Sequence, residues 1–165
     1  LDLGFSSVRW KDLYLSGGVY VGGTGSANYL DDYEEGTFSP TLFGGSTQIS
    51  TTGGTVLGRY TKIGNLVSIW GVVTRQDATS VSGNLQIQNL PFPIASVSGF
   101  TRLGMGWIWM DNGSGLDRIG QVYITTTPAL LAVVDFSVRT GRYEQISSLT
   151  NGRPVYFCAS YQTDN

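Results

Sequence analysis

The amino-acid sequence predicts an all-β protein, in which a jelly-roll-like antiparallel β-sandwich head follows a short β-stranded stem. The chain contains 23 glycines, which separate short runs of β-branched and aromatic residues without a collagen-like period. From about Phe38 onward these runs recur at the spacing expected of a sandwich or jelly roll. Helical periodicity is nearly absent, so the runs are interpreted as strands.

Two regions are predicted, a stem and junction at residues 1–35 and a head at residues 36–165. The length of 165 residues suits one domain with a short appendage. Eight strands are predicted in the head, centred on the runs TFSPTLF, VLGRYTKI, LVSIWGVVT, NLQIQNL, LGMGWIWM, QVYITT, LLAVVDFSV and VYFCASY. The absence of Met at position 1 indicates either a fragment or a chain whose leader is missing.

The clearest local signal in the head is a β-hairpin within YTKIGNLVSIWGVV. Gly64-Asn65 separates two apolar runs, and glycine in the first position is what one type of two-residue turn requires. Beyond the turn, side chains are expected to alternate between two faces, with Val67, Ile69, Gly71 and Val73 on one and Ser68, Trp70 and Thr74 on the other. In LQIQ, leucine and isoleucine alternate with glutamine in the same way.

Residues 1–30 contain strand-like pieces without a local partner. VRWKDLYL and VYV are separated by glycine-rich segments, and two isolated strands are only marginally stable in water. Aromatic and charged residues alternate at positions 9–12, so one side of this ribbon requires burial. We expect other copies of the chain to supply it in a cyclic homotrimer, with these side chains buried between chains: Trp10, Leu13, Leu15 and Tyr20.

Charge and composition argue against several classes of function. Ten basic and 12 acidic residues give a net charge of −2, so neither nucleic-acid binding nor attraction to an anionic membrane is expected. No apolar run approaches about 18 residues, so no membrane insertion is predicted. The chain contains no histidine, which excludes Ser-His-Asp and Cys-His catalysis and histidine metal sites. The single cysteine, Cys158, is predicted to be a buried small apolar residue.

The acidic residues of LDDYEEG are the first candidates for chemistry: Asp31, Asp32, Glu34 and Glu35. A glycosidase needs two carboxylates facing the scissile bond, one of them in a pocket that raises its pKa. Four solvated acids in one junction favour a structural connection, with a divalent-cation contact and catalysis as alternatives. GGTGSAN lacks the lysine of a phosphate-binding loop. We therefore predict no catalytic residue, no metal site and no cofactor.

Tryptophans and polar loops form the second group of candidates. Trp70 lies opposite the apolar face of its strand, and Trp107 and Trp109 share one face of theirs. Such residues can belong to a core, to an oligomer interface or to a platform on which sugar rings stack. The loops RQDATSVSGN and MDNGSGLDR carry groups suited to sugar hydroxyls, although ordinary hairpin loops have the same composition.

The stretch SSVRWKDLYLSGGVYVGGTGSANYLDDYEEGTFSPTL resembles a segment near the C-terminal end of many tailed-phage tail fibres and related virion proteins. There, a stem of this kind leads through an L-D-D-Y-E-E-G-T junction into a β-rich head. GRYTKIGNLVSIWG and IQNLPFP are similar to parts of those heads. The resemblance covers about residues 4–43 and, less closely, 58–93. It implies location in the virion and a stem whose strands pair with two sister chains.

The leading hypothesis is the distal part of a homotrimeric tail fibre that binds a host-cell surface glycan or protein, with other virion proteins on its N-terminal side. A head-attached fibre or capsid-decorating protein without a receptor, and a polysaccharide depolymerase spike, are the alternatives. Hairpin loops of a sandwich cluster at its two ends, and the stem occupies one. The predicted receptor site therefore lies at the other end, with these candidates and a lateral tryptophan: Arg75, Asp77, Asp111, Asn112, Asp117, Arg118 and Trp70.

Overall fold

The computed structural model describes residues 4–76, 83–96, 98–99, 104–111, 118–126, 129–134 and 151–164. The chain divides into two compact units, Leu1–Asp32 and Tyr33–Asn165. The predicted boundary after residue 35 falls within the strand Tyr33–Phe38. The described residues contain no α-helix, and their strand pairings are antiparallel, which confirms the all-β prediction. A jelly-roll topology and a trimeric stem stay predictions.

The first unit contains a two-stranded sheet formed by β1 (Val19–Tyr20) and β2 (Tyr29–Leu30). A short 3-10 turn at Ser26–Asn28 precedes the second strand. The four predicted stem residues are all more than half exposed within this chain: Trp10, Leu13, Leu15 and Tyr20. Within the unit, the Tyr20 ring lies against that of Tyr29, with the ring centroids 4.8 Å apart. Burial of the four side chains between chains stays a prediction.

The second unit contains ten strands that belong to one sheet. They are β3 (Tyr33–Phe38), β4 (Thr41–Gly44), β5 (Thr47–Gln48), β6 (Val56–Ile63), β7 (Leu66–Thr74), β8 (Leu85–Gln88), β9 (Gly104–Met110), β10 (Arg118–Thr126), β11 (Ala129–Val134) and β12 (Pro154–Gln162). Their order across the sheet is β3-β6-β7-β12-β9-β10-β11-β8-β4-β5. The last strand, β12, therefore lies between β7 and β9 and pairs with both along most of its length.

The run TFSPTLF, predicted as one strand, forms two strands that lie far apart in the strand order. β3 ends at Phe38 and β4 begins at Thr41, and Pro40 between them has no N–H to donate to a ladder. The connection is too short to span more than about 11 Å. The two ends of the strand order must therefore come together, so the sheet folds over on itself and encloses one core.

That core consists of inward-facing apolar side chains from both halves of the strand order. The fully buried members include Leu42, Ile69, Leu85, Ile108 and Tyr161. They alternate with outward-facing residues along each strand, as they do in β12, where every second residue from Val155 to Tyr161 is buried. Burial of the alternate side chains is what holds each strand in its register.

Two paired glycines make room in this core for aromatic rings. Gly58 of β6 lies opposite Gly71 of β7, and a Cβ atom on Gly71 would lie 2.7 Å from the ring of Phe157. The Phe38 ring occupies the space beside Gly58 and meets Phe157 edge to face, with the ring centroids 6.4 Å apart. Glycine is needed at Gly58 and Gly71 because the rings of Phe38 and Phe157 occupy the space that larger side chains would fill.

The hairpin predicted at Gly64-Asn65 is confirmed. Ile63 pairs with Leu66 across the two-residue turn, and Gly64 has the positive φ of 56° that such a turn requires. The alternation predicted in LQIQ is also confirmed, because both apolar residues of β8 are buried and both glutamines are partly exposed. No helix in the described part of the chain is long and apolar enough to cross a bilayer.

The prediction that Cys158 is buried is wrong. This residue is exposed on the outer face of β12, because its neighbours Phe157 and Ala159 occupy the inward positions. Ser160 and Gln162 share its side of the strand. Their polarity was the signal in the sequence that this side faces outward.

Candidate functional site

One end of the sheet, called the loop end below, contains the strand ends that border the predicted receptor loops. Thr74 pairs with Pro154 in the β7–β12 ladder, and Met110 pairs with both Val155 and Arg118 in neighbouring ladders. The last residues of β7 and β9 therefore lie at the same end of the sheet. Tyr33, the first residue of the unit, lies at the opposite end beside the Gly64-Asn65 turn, because it pairs with Ile63.

Two arginines and an aspartate come together at this loop end. Arg153 forms an ion pair with Asp111, with 3.1 Å between its guanidinium nitrogen and a carboxylate oxygen, and both side chains are partly exposed. Arg75 is only 7% exposed, and its backbone N–H donates to the Arg153 carbonyl. Asp111 thus orients a guanidinium that still has access to solvent. Such a group can donate further N–H bonds to hydroxyl or carboxylate oxygens.

The structure describes the other predicted receptor residues only in part. Asp77, Asn112 and Asp117 lie outside the described residues, and Arg118 is the first residue of β10, with a side chain that is not described. Arg153 was missed by sequence reasoning. Its only local signal is the turn NGRP before β12, and only the pairing of β9 with β12 brings it to Asp111, which is 42 residues away.

The outer face of the sheet carries a continuous row of side chains across five strands. In the ladders, Arg59 pairs with Trp70, Trp70 with Cys158, Cys158 with Trp107, and Trp107 with Gln121. Trp70 is 47% exposed and Trp107 56% exposed. The core interpretation of these tryptophans is therefore wrong, whereas the interface and sugar-platform interpretations remain open.

Every exposed large apolar residue in the described part of the second unit lies on this same outer face. We define the aromatic face by these nine residues: Tyr33, Leu57, Ile63, Leu66, Trp70, Met105, Trp107, Trp109 and Tyr156. A typical monomer has a largest apolar patch of about 300–600 Å². Larger contiguous patches are typical of surfaces that contact another molecule.

Two grooves lie on the aromatic face, one on each side of Trp107. One groove, of about 460 Å³, lies between Trp70 and Trp107, and its floor is formed by small residues that include Cys158 and Ser160. The other, of about 430 Å³, lies toward Trp109 and Tyr156, whose ring centroids are 5.0 Å apart. The surface is therefore uneven, because small residues lie beside the large side chains of the tryptophans.

Hydrogen-bonding groups are sparse in the first groove. The hydroxyl groups of Ser68 and Ser160 form a hydrogen bond, with 3.1 Å between their oxygens. Gln121 lies at one margin of the groove, and Arg59 and Glu35 line a neighbouring hollow beside Trp70. The polar groups that would orient a ligand are thus at the margins of the groove.

Two of the four acidic residues of the junction are part of the ten-stranded sheet. Glu34 and Glu35 are consecutive residues of β3 and point to opposite faces, and each accepts a hydrogen bond from a tyrosine hydroxyl, Glu34 from Tyr60 and Glu35 from Tyr33. These bonds to carboxylates raise the pKa of both tyrosines above the ordinary value of 10. No group of three or more acidic or cysteine residues in the described part of the chain could hold a metal ion.

Comparison with known proteins gives a likeness in fold. No protein-family model matches the chain, and no curated protein matches it. Among solved structures it is similar to the crystal structure of Dettilon tailspike protein (gp208), with 20% sequence identity and a TM-score of 0.60. The similarity covers 81% of this chain and 24% of that one. The chain thus spans about a quarter of the length of the tailspike, and it has the fold of part of a phage tailspike.

Proposed function

We propose that this chain is the distal part of a homotrimeric phage tail fibre or tailspike, located in the virion, which binds a glycan on the host-cell surface and has no catalytic activity. The observation that carries the proposal is the fold shared with part of a phage tailspike. The resemblance of its N-terminal 43 or so residues to tail-fibre stems supports it independently. Other virion proteins are expected on the N-terminal side.

The loop end is the proposed receptor site. It lies at the opposite end of the sheet from Tyr33, where the chain enters the second unit. The partly exposed pair of Arg153 and Asp111 provides a charged donor and acceptor in fixed relation. Saccharides are bound through such planar polar groups, because each can form two hydrogen bonds to neighbouring hydroxyls. Three copies in one particle would strengthen a weak single site through avidity.

The test is adsorption of the purified protein to host cells, measured by fluorescence with and without competing surface polysaccharide. Arg153→Ala, which removes the guanidinium that Asp111 orients, is expected to weaken binding. Replacement of Asn112, Asp117 and Arg118 together by alanine is expected to weaken it as well. Gln162→Ala at the other end of the sheet is the matched control and should bind normally. Unchanged binding by the triple variant would remove this loop from the site.

The same preparation distinguishes the two alternative functions. A folded protein that does not bind host cells or their polysaccharide supports a structural virion part without a receptor. New reducing ends after incubation with host polysaccharide would establish a depolymerase and overturn the non-catalytic proposal. Electron microscopy of labelled particles would show whether the chain lies on the tail or on the capsid.

A further inference from the structure

We propose that the aromatic face is the surface through which this chain packs against a second copy of itself. The inference deepens the proposed function and rests on its homo-oligomeric part. It assigns the contact to the outer side of β6, β7, β12 and β9, with the row from Trp70 through Cys158 to Trp107 at its centre. The proposed receptor site at the loop end lies at the margin of this surface and stays accessible.

The exposed apolar area of the face is of the size of a subunit contact. Large aromatic side chains contribute about 150–250 Å² each when fully buried. The five aromatic members of the face are about half exposed, so they alone leave roughly 500 Å² in contact with water. The four aliphatic members, which are also 41–77% exposed, add to this area. A stable protein interface buries about 800 Å² per partner, so the face suits one subunit contact and is larger than a single sugar ring requires.

Charged side chains are absent from the middle strands of the aromatic face. The outward positions of β7, β12 and β9 contain no Asp, Glu, Lys or Arg. Charged side chains on this side of the described strands occur at the flank, where Glu35 lies on β3 and Arg59 on β6. A centre depleted of charge and rich in tryptophan and methionine, with a charged rim, is the composition of a protein–protein interface.

A second copy of the chain is the partner that matches the exposed surface of both units. The first unit also exposes large apolar side chains, among them Phe5, Trp10 and Tyr14, which is 92% exposed. A second copy carries apolar surface of both kinds, whereas a saccharide at the Trp70–Trp107 groove would leave the first unit uncovered.

Cys158 provides a natural probe for this contact. It is the single cysteine of the chain, it is exposed within one chain, and it lies between Trp70 and Trp107 in the ladders. If a second copy covers the face, the thiol is protected in the assembled protein. Reaction with a chromogenic disulfide reagent should then be slower than in the denatured protein by roughly a hundredfold or more, because it requires the interface to open.

A charge placed at the centre of the face tests the same contact in a second way. Trp107→Glu should shift the protein from oligomer to monomer in light scattering, with the far-ultraviolet circular dichroism of a β protein retained. Gln48→Glu introduces the same charge on β5, away from the face, and should remain oligomeric. If the Trp107 variant fails to fold, thiol protection in the unaltered protein still decides the matter.

The possible results distinguish a failure of the proposed face contact from a failure of the proposed function on which it rests. An oligomer with a protected thiol that dissociates in Trp107→Glu supports the inference. An oligomer whose Cys158 reacts at the denatured rate, or whose Trp107 variant remains assembled, overturns it but leaves the homotrimer in place. A stable monomer at micromolar concentration overturns both. Protection of the thiol by host polysaccharide in such a monomer would assign the groove to sugar binding.

Discussion

The hydroxyl of Tyr161 joins the strand β12 to the segment after β8, and replacing it should change stability in two measurable ways. Tyr161 is 1% exposed. Its O–H donates to the Phe92 carbonyl at 3.1 Å, and its oxygen accepts from the Phe92 N–H at 3.2 Å. Tyr161→Phe keeps the ring and removes only these two bonds. Each such bond contributes about 0.5–1.5 kcal/mol net, so we expect a loss of about 1–3 kcal/mol at neutral pH.

The second effect appears at alkaline pH. Burial raises the pKa of Tyr161 from 10.0 to about 12, despite the opposing hydrogen bond with the Phe92 backbone. Between these values the unfolded tyrosine loses its proton while the folded one keeps it, so the unfolded state binds fewer protons and stability falls as pH rises. Over the two pH units the loss amounts to about 2–3 kcal/mol. Tyr161→Phe should abolish this part of the pH dependence.

The assay is urea denaturation followed by circular dichroism at pH 8, 10, 11 and 12. All proteins are compared at one concentration, because the midpoint of an oligomer depends on it. Tyr156→Phe is the matched control, since this tyrosine lies on the same strand and is exposed. The variant at position 161 should lose less stability than the control between pH 10 and 12. Parallel curves for the two variants would refute the assignment of a buried, un-ionised Tyr161.

Two further substitutions test the packing of the sheet and the loop end. Gly71→Ala should destabilise the protein by about 1–3 kcal/mol, because its Cβ would overlap a neighbouring carbonyl and the Phe157 ring, whereas Gly25→Ala, with only ordinary contacts, should not. A thermal melt in which both variants match the unaltered protein would contradict the close packing. Asp111→Asn should cost at most about 1 kcal/mol, since its ion pair with Arg153 is partly exposed, and that cost should shrink in high salt.

The sequence was sufficient where a local rule determines the structure. Gly64-Asn65 fixes a hairpin because only two residues separate the strands and glycine accepts the positive φ. The alternation in β8 is equally local, because the apolar side chains of Leu85 and Ile87 are buried in the core and the glutamines between them point outward. The prediction of TFSPTLF as one strand was wrong although the signal was local, since Pro40 cannot continue a paired strand.

Features that depend on pairing between distant segments could not be read in this way. Arg153 meets Asp111 because β12 returns between β7 and β9, and no local pattern specifies that order. Likewise, the alternation along each strand placed Trp70 and Trp107 each on one face of its own strand. It did not show that both residues lie on the outer face of the sheet, in one row across neighbouring strands. The order of the strands depends on the packing of the whole core, to which many side chains each contribute a small amount of free energy.

The strand β9 shows how the core determines which side chains lie on the aromatic face. In GMGWIWM the inward positions begin with two glycines, while Met105, Trp107 and Trp109 point outward. A shift of one residue would place these large side chains inside. The core has no room for them, because even a Cβ atom at Gly106 would overlap the Cys158 carbonyl oxygen. Exposed tryptophans cost free energy in water, so a second copy that covers them, as proposed, would stabilise this register against the alternative.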